Sequence, residues 1–267
     1  MSKPKFLATG PNKIYPPANR CIYCGSTSDL SDEHIIPFSL GGNVVLPKAS
    51  CGKCRDETHA FEGQCAGAMM LPIRARMNIQ TRNPKKRPPT FDIPIVAPDG
   101  RSRTATFPAD KVPFACVGIN LDPPTFVTGD LPTGRVTGNL FARTTMEDWS
   151  PHLAPGDAAM VGKIEIVSFC RLIAKIGHAH VMASLVAEDV HPPIDDLFLP
   201  PIILGRSNQF QHYVGGDADP LDPTDALHQL RFNRYIFGER KILVSTVRLF
   251  SLFGMPRYHV IASYEPR

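Results

Sequence analysis

The 267-residue sequence has a single tryptophan and is only 8% aromatic. It contains no internal repeat and no low-complexity tract, which excludes solenoid and fibrous architectures. No run approaches the roughly 18–20 consecutive apolar residues that cross a bilayer, so no membrane partner is expected. The opening MSKPKFLATG lacks the charged-then-apolar order of a secretory leader, and the expected compartment is a reducing cytoplasm. Under reducing conditions the seven cysteines point to metal ligands and buried thiols rather than disulfides. Charge of one sign is also in short supply. The net charge is +4, but it is uneven: residues 1–100 hold 13 Lys/Arg against 8 Asp/Glu, and the remaining 167 hold 16 against 17. The mild basic excess of the first part suits a polyanionic partner.

The informative stretch runs from Cys21 to Glu62. Two Cys-x-x-Cys pairs, Cys21/Cys24 and Cys51/Cys54, bracket the acidic-histidine step Asp32-Glu33-His34, and a Gly41-Gly42-Asn43 turn follows that step. Four thiolates can close a tetrahedral zinc site with no open position, which makes the zinc structural. The spacer of 26 residues between the pairs exceeds the roughly 15–20 of a compact zinc ribbon and leaves room for a β-hairpin. His34 belongs on the first strand of that hairpin, and Asn43 opens the returning strand through Val44-Val45-Leu46. Cys51 and Cys54 should begin a helix that runs on through His59, Phe61 and Glu62. Helical character is expected to continue to Met77, with Pro72 kinking or restarting it.

CIYCG, then EHIIPFSLGG, then ASCGKC before a helix: this combination resembles the HNH nucleases, in particular the zinc-stapled, treble-clef branch with a ββα-metal core. The resemblance covers about 60 residues. It implies a metal-dependent endonuclease that hydrolyses phosphodiester bonds in DNA, with RNA left open as substrate. His34 would be the general base. Glu33 would hold a catalytic Mg²⁺, Mn²⁺ or similar divalent cation, provided a local bulge brings it round to the His34 side of the strand. Asn43 would orient the base. The family's helix ligand commonly follows the second Cys of the second pair, and here that place is taken by Arg55. Arginine stays protonated and cannot ligate a cation. His59, one helical turn further on, would then be the second cation ligand, and Arg55 would contact the scissile phosphate. The same departure supports an alternative: a non-catalytic, zinc-containing nucleic-acid-binding protein with a degenerate HNH centre.

Downstream, Arg74, Arg76, Arg82, Lys85, Lys86 and Arg87 place six cations in fourteen residues. They read as an arm contacting the nucleic-acid backbone. Short apolar runs between 91 and 145 read as antiparallel strands. Residues 157–187 hold the main helix, with Phe169, Leu172, Ile173, Ile176 and His180 on one stripe. His178 and His180 face two sides of that helix and are read as structural. The chain should end in two strands around Gly254-Met255-Pro256. The expected fold class is α+β: a zinc-stapled ββα module at 15–80, and a domain at 90–267 with an antiparallel sheet and one main helix.

Overall fold

Leu30–His34 and Val44–Cys51 are the two strands of the expected hairpin, and Leu46 and Ala49 on the second, with Ile35 just after the first, are buried. The computed structural model describes residues 13–80, 88–160, 163–217 and 221–266. The strands in chain order are β1 (Lys13–Ile14), β2 (Leu30–His34), β3 (Val44–Cys51), β4 (Thr90–Val96), β5 (Ser102–Pro108), β6 (Ala115–Leu121), β7 (Gly138–Thr144), β8 (Ala158–Ala159), β9 (Val214–Gly216), β10 (Gln229–Phe237), β11 (Arg240–Arg248) and β12 (Tyr258–Tyr264). The helices are α1 (Gly52–Gly67), α2 (Leu71–Arg76), α3 (Thr125–Thr128), α4 (Met146–Trp149), α5 (Ile166–Ala187), α6 (Pro200–Ile203) and α7 (Phe210–Tyr213).

The first sheet has the order β1-β3-β2 and leads directly into α1, so the N-terminal region is a ββα unit. Helical character does break before Pro72: α1 stops at Gly67, and α2 restarts at Leu71 with the proline in its first turn, where no donor is needed. The largest sheet is antiparallel, β10-β11-β12-β9, and smaller antiparallel sheets pair β5-β4-β8 and β6-β7. The protein is therefore α+β, with the expected hairpin, main helix and C-terminal strand pair in place.

One core joins the two halves. Ile22, Tyr23, Ile35, Leu46 and Phe61 of the ββα unit share a cluster with Phe169, Leu172, Ile173 and Ile176 of α5 and with Leu243, Val247 and Val260 of the large sheet. Each such side chain contributes about 1.5–3 kcal/mol by leaving water. The lone tryptophan anchors a second, smaller core with Ile93, Phe107, Val112 and Ala115, and its indole N–H donates to Phe114 O at 3.0 Å. By length and composition α5 could cross a membrane, yet 83% of its apolar window is buried inside the protein. It is the central helix, lying between α1 on one side and β11 and β12 on the other.

Candidate functional site

The cysteine quartet comes together as the spacing requires. Gly25 closes the first knuckle: its φ of +78° lets its N–H reach Cys21 O at 2.9 Å. The second pair is set by the strand-to-helix junction, with Cys51 the N-cap of α1 and Cys54 in its first turn. The four Sγ atoms lie within 4.8 Å of one another, and those of Cys24 and Cys51 are 3.6 Å apart. Four sulfurs bound to zinc at about 2.3 Å would sit about 3.8 Å apart. The quartet is therefore compatible with a structural zinc. Without the metal, burial pushes the Cys21 thiol up to about 11, while hydrogen bonds from its neighbours outweigh burial at Cys51 and pull that thiol down. Among the described residues, this is the one place where three or more His, Cys, Asp or Glu donors converge.

The hairpin held by the quartet presents His34 at the end of β2, half-buried, its ring edge-on to Phe38 with centroids 5.9 Å apart. The returning strand starts just after Asn43, which is half-buried, and Val44 O accepts Ile35 N–H at 3.0 Å. Asn43 thus sits across the hairpin just beyond His34. The turn between them needs glycine. A Cβ on Gly42 would lie 1.9 Å from the Ile36 carbonyl oxygen.

Glu33 does not come round to the His34 side. The strand does carry an irregularity, but it falls between Ser31 and Glu33. Glu33 and His34 then pair with Leu46 and Val45 as consecutive strand residues, and consecutive side chains point to opposite faces. Asp32, at the irregularity, is exposed and accepts Lys48 N–H at 3.3 Å. Glu33 is 6% exposed and faces α5. Its carboxylate meets Lys175 Nζ at 2.5 Å, and Glu62 of α1 meets the same ammonium at 2.9 Å. Burial raises the Glu33 carboxyl; the ammonium opposes that shift, and Glu62 adds to it. At Lys175 burial would pull the ammonium down, but the two carboxylates outweigh it and hold it above its usual range. The expectation that Glu33 ligates a divalent cation is thus corrected: the carboxylate is enclosed and already neutralised.

The remaining expected site residues divide. Arg55 is 38% exposed, with Nε 3.5 Å from Asp56 Oδ1, so its guanidinium can meet a phosphate. His59 is exposed on α1, one turn on, and among the described residues it belongs to no group of three or more His, Cys, Asp or Glu donors. Glu33 is thus buried against α5, whereas His59 is on the exposed face of α1. Arg74 was expected to touch nucleic acid but is an internal tie: Nε donates to Ser39 O and Nη1 to Ala66 O, each at 2.6 Å. Arg76 is 40% exposed and pairs with Asp148 at 3.4 Å. Arg82, Lys85, Lys86 and Arg87 lie outside the described residues.

Lys175 was missed by sequence reasoning. A lysine in the middle of a mostly apolar helix, flanked by Ile173, Ala174 and Ile176, is the signal that could have found it, because a fully buried lysine requires a carboxylate partner. His178 and His180 are buried as expected: His178 Nε2–H donates to Ile22 O at 2.8 Å, and His180 Nδ1 bonds Ser245 Oγ at 2.9 Å. Burial lowers both to about 4. Burial likewise raises the Cys65 and Cys170 thiols to about 12, which makes them inert core residues.

No curated protein and no solved structure matches the chain. The ββα unit, with its four converging thiols, EHIIP strand and Gly-Gly turn, does have a likeness: residues 21–64 match the HNH endonuclease family model, so this N-terminal module is similar to HNH endonucleases.

Proposed function

We propose that the HNH-type module is a nuclease site that hydrolyses phosphodiester bonds in DNA, with His34 as general base. The observation that supports this most is the placement of His34. It is half-buried, at the end of a strand pinned on one side by the cysteine quartet and on the other by α5. A neutral imidazole there can take the proton of an attacking water. Arg55 offers positive charge to the phosphate, and exposed Arg76 extends that charge along the same module. A zinc in the quartet would hold the hairpin in shape and, with all four positions filled by sulfur, would take no part in the chemistry. No step is assigned to a divalent cation, because the carboxylate expected to hold it is bound to Lys175.

That ion pair, together with Arg55 at the helix-ligand position, favours a second reading: the module binds nucleic acid without cutting it. Nicking of supercoiled plasmid by wild type and His34→Ala, with Mg²⁺ or Mn²⁺ and with EDTA, separates the two. Under the nuclease reading wild type nicks, and H34A is slower by about 10²–10⁴-fold, the usual contribution of a general base. H34A should still shift DNA in a gel, and the shift should weaken steeply with salt. A silent wild type that shifts DNA establishes the binder instead.

A further inference from the structure

α5 is apolar around most of its circumference, but one stripe is polar. Ser168, Arg171, Lys175 and His178 follow one another at steps of three, four and three residues, which keeps them on one face. Every member of the stripe touches the HNH-type module. Ser168 Oγ donates to Gln64 at 2.5 Å, Arg171 lies over the Phe61 ring at 4.6 Å, and His178 bonds Ile22 O. Lys175, at the centre and 1% exposed, donates to His34 O at 2.5 Å as well as to Glu33 and Glu62.

We infer that Lys175 is a positioning residue for His34, and that α5 supplies the back wall without which the base is not held in place. An ammonium has three N–H groups. Here they meet one carboxylate of β2, one carboxylate of α1 and the backbone carbonyl of His34 itself. Three elements, β2, α1 and α5, are thereby fixed at a single point on the backbone of His34. Removing the ammonium leaves two enclosed carboxylates facing each other and a carbonyl without its donor. The end of β2 then separates from α1 and α5. The cysteine quartet lies at the other end of the hairpin and cannot restore that contact. The inference rests on the reading of His34 as the base.

The test uses the full chain with Lys175→Met, Lys175→Arg and the charge-free triple variant E33Q/E62Q/K175M, which remains foldable if K175M does not. Hydrogen exchange is read alongside plasmid nicking, gel shift and zinc content. In K175M and the triple variant, exchange across residues 31–40 should rise at least about tenfold, while β11 and β12 keep their protection. Nicking should fall about 100-fold, the loss that follows a misplaced catalytic group. DNA affinity should stay within about twofold, because the base is misplaced while the cationic surface is intact. Zinc content should not change, and K175R should recover part of the nicking. Folded K175M or triple variant with unchanged exchange at 31–40 overturns the inference, and so does either one nicking like wild type. If wild type itself does not nick, the nuclease reading fails, and the exchange result alone still decides whether Lys175 holds the His34 strand.

Discussion

Cys51→Ser isolates what the metal contributes. Cys51 is the N-cap of α1, with φ −75° and ψ 160°. Serine is among the best N-cap residues, so the substitution should favour the helix by up to about 1 kcal/mol if sulfur served only the chain. Loss of a zinc ligand has the opposite sign and is larger. Structural zinc in small modules contributes about 10–16 kcal/mol of apparent binding free energy, as much as the whole stability of a typical domain. For a chain of this length unfolding as one unit, about 10 kcal/mol corresponds to a melting shift of about 18 °C. Chelation should produce a shift of that order, and C51S a large part of it. Thermal unfolding of wild type and C51S by circular dichroism, with and without chelator and with metal content measured in parallel, gives the answer. C51S melting at or above the wild-type temperature, in protein that carries no zinc as purified, would refute the metal clasp.

The two helix histidines predict an acid sensitivity. Both are held neutral in the fold with values lowered to about 4, and the unfolded chain protonates near 6.5. Their contribution is complete above about pH 6.5 and is lost as pH falls toward 4, up to about 3 kcal/mol for each. Tyr23 faces His178, while Ser245 and the Lys13 charge face His180; none of them offers a carboxylate to compensate. Urea midpoints at pH 7 and 4.5 should differ accordingly, and by less in H178Q and H180Q; equal midpoints for wild type at the two values count against the assignment. Gly177→Ala gives a second check. Alanine improves helix propensity by about 1 kcal/mol, but the new Cβ would sit 2.4 Å from Val260 Cβ, and overpacking of this kind costs about 1–3 kcal/mol. The net loss of up to about 2 kcal/mol lowers the melting temperature by up to about 4 °C, and an increase would mean that α5 and β12 are less closely packed than described.

The ββα unit was legible because its signals are local. Cysteine spacing, the length of the spacer and a glycine turn fix the knuckle, the hairpin and the start of α1 without reference to the rest of the chain. The stripe through Phe169, Leu172, Ile173 and Ile176 marked α5 for the same reason, although the helix begins at Ile166, after a short strand at Ala158–Ala159. β10 was passed over inside a segment rich in Pro, Gly and Asp. Yet Leu230, Phe232 and Ile236 alternate there, and a two-residue Gly238-Glu239 connection joins Phe237 to its partner Arg240, with φ of +60° at the glycine. Arg74 was misjudged because a cation in a basic run looks exposed. Only the fold reveals that two backbone carbonyls, from Ser39 and Ala66, lie within its reach.

Glu33 fails for a deeper reason. Which face of a strand carries a given residue depends on where the bulge falls, and the bulge position was not readable. One residue's displacement exchanges the faces of everything beyond it. With the irregularity before Glu33, the inward face belongs to the glutamate and the outward face to His34. The inward glutamate needs a cation from whatever covers the hairpin, 142 positions away in sequence, and α5 provides one. Breaking such a buried pair costs about 3–5 kcal/mol, because it strands a charge in the interior. The same residue pair that occupies the expected cation ligand thus binds the HNH-type module to the rest of the chain. The long C-terminal part is then a structural condition for the module: a fragment ending near residue 80 would expose Glu33, Glu62 and the apolar face of α1 together.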